Sequence, residues 1–107
     1  MSAPHQPHAP GTIRVEQEDA GAVLLLSGDV DAATVAAYDR AGGAGSGPVV
    51  AVDASRATFL NSTGVALLVR ETQACRDAGR RPQLRSPSRQ VRQVLSLTGV
   101  DALFDVG

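Results

Sequence analysis

A chain of 107 residues holds one compact domain and is too short for two, and with 43% apolar but only 3% aromatic residues its core must be built from Val, Leu and Ala. A single cysteine, Cys75, excludes an internal disulfide and a multi-cysteine metal centre, and no apolar run approaches the roughly 20 residues that span a bilayer. The formal charge of −1 hides an asymmetry: residues 1–61 carry three Arg against seven acids, residues 62–107 seven Arg against four, yet the basic part has no Tyr or Trp to stack bases, which disfavours direct nucleic-acid binding.

The opening "MSAPHQPHAP" has three prolines, both histidines, no apolar periodicity and no signal-type hydrophobic region, so residues 1–11 are expected to be a disordered arm on a soluble, cytoplasmic protein. The folded domain is expected over 12–107. "TIRVEQ" alternates apolar and polar as a half-exposed strand does, "EDAG" supplies a turn, and "AVLLLSG" is a short continuous apolar run, together an antiparallel hairpin. "DVDAATVAAYDRA" places Val35, Tyr38 and Ala41 at helical spacing with Asp31 as N-cap, and "GGAGSGP" then breaks the helix.

"VVAVD" reads as a short strand covered on both faces. From Ser62 to Ala78 the stripe Val65, Leu68, Val69, Thr72, Cys75 predicts the longest helix, ended by Gly79. "RPQLRS" is a short strand, "SRQVRQVLSLTG" a helix with Val91, Val94, Leu95 and Thr98 on one face and Gly99 as terminator, and Leu103, Phe104 and Val106 are expected to close the core. Strand–helix–strand links call for parallel neighbours with right-handed crossovers, so the fold class is α/β: a mixed, mostly parallel sheet of four to five strands flanked by helices.

"FLNSTG", Phe59 to Gly64, lies where the central strand meets the long helix, at the sheet edge where open α/β folds bind ligands. Either Asn61 or Ser62 can cap that helix. A nucleophilic role for Ser62 requires a base, but the folded region has no His and no Lys, and "NSTG" is not the G-x-S-x-G elbow of hydrolases, so an enzyme is not expected and no cofactor is implied. Acceptance of a phosphoryl group asks less: an exposed hydroxyl at a helix N-terminus, whose free N–H groups tolerate a dianion.

Three further features are weaker. Asp53, at the end of the strand, invites comparison with receiver-domain aspartates but lacks the lysine they need, and reads as a turn or capping carboxylate. Asp29 and Asp31 are too few for a calcium cage, and no metal is expected. "GGAGSG" precedes a strand and no Lys-Ser/Thr pair follows it, so it is a linker and not a phosphate loop.

"LSGDVD", "VVAVDASRATFLNSTGVALLV" and "VRQVLSLTGVDALFDV" resemble the STAS domain of the bacterial anti-sigma factor antagonists, in family order and at family spacing from about residue 12 to the end. The resemblance implies a sheet of mixed strands flanked by helices. It also implies a partner switch in transcription regulation. In the family motif F-x-D-S-x-G, matched here by Phe59, Ser62 and Gly64, the serine is phosphorylated by an anti-sigma factor that is itself a serine kinase. Unphosphorylated antagonist binds the anti-sigma factor and frees a sigma factor; phosphorylation breaks the complex and a phosphatase resets it. Asp31, Asn61, Thr63 and Gly64 would line the partner surface; Thr63 is a candidate secondary acceptor, but its place inside the first turn favours a structural role.

The family aspartate is Asn61 here, which keeps the capping ability and removes a charge. That departure favours an alternative, a constitutive, non-phosphorylated STAS interaction module in a signalling or transport complex. Small modules of this kind can be monomers.

Overall fold

The computed structural model describes residues 10–45 and 47–107. Strands β1 (Thr12–Glu18) and β2 (Gly21–Val30) form the expected hairpin in unbroken antiparallel register from Thr12 opposite Ser27 to Glu18 opposite Gly21. Helix α1 (Ala32–Arg40), strand β3 (Val49–Leu60), helices α2 (Ser62–Glu71) and α3 (Gln73–Asp77), strand β4 (Gln83–Arg85), helix α4 (Arg89–Leu97), a 3-10 turn over Val100–Leu103 and strand β5 (Asp105–Val106) follow. The five strands lie in chain order across one sheet, and every pairing after the hairpin is parallel. Of the expected arm, residues 1–9 lie outside the described residues, while Pro10 already forms an isolated parallel bridge with Asp29.

The central strand is longer than the expected "VVAVD". β3 runs for 12 residues to Leu60. Past Asp53 its buried residues are Ala54, Ala57 and Leu60, every third position, because the register with β2 slips between Leu25 and Ser27 and again between Gly28 and Asp29. Bulges of this kind break the twofold alternation by which a strand is recognised. The strand therefore reaches the "FLNSTG" segment without an intervening loop.

Val49, Val50, Ala51 and Val52 are all buried, so this part of β3 is covered on both faces as expected, although helices supply the cover on one face only. Val35 and Tyr38 of α1, Val65 and Leu68 of α2 and Val91 and Leu95 of α4 join one cluster with Leu24, Leu26, Val52, Ala54 and Leu84 of the sheet. The alternate positions Val23 and Ala51 lie outside that cluster yet are fully buried. Their roof is polar: the Arg85 guanidinium donates to both Glu18 carboxylate oxygens at 3.0 and 3.1 Å, joining β4 to β1 over the two strands between them. That bond holds the Glu18 carboxyl below the usual carboxylate range.

The long helix expected from Ser62 to Ala78 is two helices, broken at Thr72. The Thr72 hydroxyl is buried and donates to the Leu68 carbonyl at 2.6 Å, a back-bond that bends helices, and Thr72 sits at φ −96, ψ 1. Arg76 reinforces the bend by donating to Thr72 Oγ1 at 2.5 Å and to the Val69 carbonyl at 2.8 Å. Gly79 (φ +80) and Gly99 (φ +75) terminate their helices in the left-handed region, as expected of glycine. Of the last hydrophobics only Phe104 enters the core; Leu103 is half-buried, and Val106 stays 44% exposed because β5 is a sheet edge.

Two ties lock α1 to α2 at the ends farthest from their N-termini. Tyr38 donates its hydroxyl to Glu71 at 2.6 Å, and Arg70 bonds Asp39 at 2.7 Å. Burial, then the Glu71 hydrogen bond, pushes the Tyr38 hydroxyl well above its ordinary pKa, so it remains a donor.

Candidate functional site

β2 and β3 end level with each other, Asp29 opposite Phe59 and Val30 opposite Leu60. The next residue of each chain segment is a helix cap: Asp31 for α1 and Asn61 for α2. Two helix N-termini thus stand side by side at the carboxyl edge of the sheet, each with a partial positive charge from its aligned peptide dipoles. The sequence left two candidates for the α2 cap, and the cap is Asn61, whose Oδ1 accepts the Gly64 N–H at 3.0 Å while its own N–H donates to the Val30 carbonyl at 3.2 Å. Ser62 is the first helical residue.

The two caps differ in charge. Asp31 accepts the Thr34 N–H at 3.0 Å and lies 2.9 Å from the Thr34 hydroxyl; these bonds lower its pKa, so it brings a full negative charge to α1. Asn61 is neutral and leaves the α2 terminus uncompensated. Replacing Asn61 by alanine is expected to remove about 1 kcal/mol of stability, read as a fall in the urea midpoint with unchanged m-value.

Ser62 and Thr63 are exposed, and the Ser62 hydroxyl makes no hydrogen bond to any described residue. Gly64, expected on the partner surface, is buried instead. A Cβ built there would fall 2.6 Å from the Val30 carbonyl oxygen and 3.1 Å from Leu60 Cδ2, so the residue is a contact point between α2 and the end of β2. Phe59 is 45% exposed two residues before the cap and adds an apolar surface to the polar site.

Residues that the sequence reading passed over hold this edge together. The Thr58 hydroxyl donates to Asp29 Oδ1 at 2.6 Å across β3 and β2, and the Thr34 hydroxyl lies 3.1 Å from the Asp29 carbonyl. Gly11 packs so closely that a Cβ would fall 1.9 Å from that carbonyl. Asp29 and Asp31 are therefore engaged in bonds that shape the edge, and among the described residues no group of three or more His, Cys, Asp or Glu is placed to hold a metal. Asp53 is not at the strand end: it lies mid-strand, beside a register slip, where it accepts the Ser55 hydroxyl and N–H at 2.7 and 3.0 Å, bonds that lower its pKa.

A protein-family model described as "Mlab, STAS domain" matches residues 13–105. The chain belongs to the STAS domain family. A comparison with curated proteins gave no match. Among solved structures, this STAS domain is similar to an anti-sigma factor antagonist from Mycobacterium paratuberculosis at 28% identity and a TM-score of 0.72, covering 91% of this chain and 85% of that one. It also shares its fold with the anti-sigma factor antagonist SpoIIAA in its unphosphorylated form, at 22% identity and a TM-score of 0.66, covering 89% and 87% of the two chains.

Proposed function

We propose that this STAS domain is an anti-sigma factor antagonist switched by phosphorylation of Ser62. The observation that carries the reading is the exposed Ser62 hydroxyl, bonded to none of the described residues, at the first position of α2, next to a neutral cap and in the place of the family phosphoserine. The protein acts by binding. Its partner is an anti-sigma factor with serine kinase activity, which brings the nucleotide and the base that takes the hydroxyl proton. The Ser62 oxygen bonds to the γ-phosphorus, ADP leaves, and a phosphatase later returns the hydroxyl.

The partner surface in this reading comprises Asp31, Asn61, Ser62 and Thr63 with Phe59 as apolar anchor, while Gly64 lets α2 seat against β2 beneath them. The Asn61 amide in place of the family aspartate is compatible with the switch: it keeps the cap and leaves the helix dipole free to stabilise a phosphate dianion one residue away. The same substitution removes a negative charge that a kinase can read, and on that account a constitutive binding module is the second reading.

Calorimetric titration with an anti-sigma serine kinase from the same cells separates them. Ser62→Ala is expected to bind like the wild type and Ser62→Glu at least about tenfold more weakly, a loss of about 1.4 kcal/mol. Equal affinity of Ser62→Glu and wild type would contradict the switch.

A further inference from the structure

Among the described residues β1 is an edge strand of seven residues, pairing with β2 alone and in unbroken register. Edge strands are ordinarily blunted by bulges, by proline or lysine within the strand, or by brevity, because their unpaired N–H and C=O groups template another strand. "TIRVEQE" has no bulge, proline or lysine, and its three charges, Arg14, Glu16 and Glu18, which also guard edges, are of both signs, so they repel a second copy in some registers and attract it in others.

We propose that β1 is a homodimerisation surface, pairing antiparallel with β1 of a second copy about a twofold axis at Val15 to make one continuous ten-stranded sheet. Its charges select this register. Paired side chains in an antiparallel ladder share a face, so a twofold axis perpendicular to the sheet passes through a residue and not between two. Centred on Arg14, the pairing sets arginine opposite arginine; centred on Glu16, glutamate opposite glutamate. Centred on Val15, it sets Arg14 opposite Glu16 of the second copy, twice, and Thr12 opposite Glu18.

The other face of the strand agrees with this register. Ile13 and Val15 are only half-buried at the rim of the apolar cluster, and they border a surface cleft toward Ala37 of α1 and its C-cap Ala41. Val15 meeting its own copy across the axis completes their burial. Ser62 lies beyond β3, two strands in from this edge, so the dimer leaves the proposed switch site open.

Sedimentation velocity over a protein concentration series tests the proposal, with circular dichroism confirming that each variant is folded. The wild type is expected to show a concentration-dependent monomer–dimer equilibrium. Arg14→Glu and Glu16→Arg, each of which faces like charges across the axis, are expected to raise the dimer Kd about tenfold or more. Arg14→Glu combined with Glu16→Arg exchanges the charges without changing their complementarity and is expected to restore the wild-type Kd. A strictly monomeric wild type would overturn the proposal, as would a dimer indifferent to either single substitution or one that the exchange fails to rescue.

Discussion

Gly64→Val is expected to cost about 3 kcal/mol or more and to lower the thermal midpoint by more than 10 °C, with Gly64→Ala losing about 1–3 kcal/mol. In an isolated helix either change would be favourable, since glycine is the poorest helix former after proline. Here the sign is reversed by the surroundings. The added Cβ would fall 2.6 Å from a backbone oxygen, that of Val30, and 3.2 Å from Val30 Cγ1, and neither belongs to a flexible side-chain end. The Val30 carbonyl also accepts the Asn61 N–H, so moving it away loosens the cap. Gly11 offers the internal comparison: its Cβ would fall 1.9 Å from the Asp29 backbone oxygen, so Gly11→Ala should likewise destabilise although it lies outside any helix. Chemical denaturation of the three variants checks these losses.

Leu68→Ala is expected to destabilise the fold by about 2–5 kcal/mol, against less than about 0.5 kcal/mol for Leu97→Ala. Leu68 is one of the fully buried side chains and lies one helical turn beyond Gly64; Leu97 is 79% exposed on α4. The two substitutions remove the same atoms, so the difference isolates burial from composition. Because Leu68 anchors the helix that carries Ser62, the variant should also make its N-terminal amide protons exchange faster with solvent than those of α1. An equal loss from both substitutions would mean that α2 is not held by the sheet as described.

The order of elements, the Asp31 cap and the glycine terminators at 79 and 99 were legible because each rests on local rules of capping and backbone conformation. The length of β3 was not, since its threefold burial pattern arises from slips against β2 that no single segment contains. The break at Thr72 was hidden for a similar reason: its apolar neighbours keep helical spacing on both sides, and only the buried hydroxyl bond to Leu68 shows the bend. At the site, the motif pointed to Phe59, Ser62 and Gly64 together, but only the fold separates their roles, exposing Phe59 and Ser62 and burying Gly64 against Val30. The Thr58–Asp29 bond spans 29 positions and leaves no local signal, and Thr58 falls in the register slip, where the Cα partner of Asp29 is Phe59.

The central claim is that Ser62 is a phosphoacceptor. The most direct measurement is phosphopeptide mapping by mass spectrometry of the protein recovered from its own cells, in growth and under stress, beside a Ser62→Ala strain. The account predicts phosphate on the peptide containing Ser62, with occupancy that changes between conditions and disappears in Ser62→Ala. An abundant protein with unmodified Ser62 in every condition would contradict it.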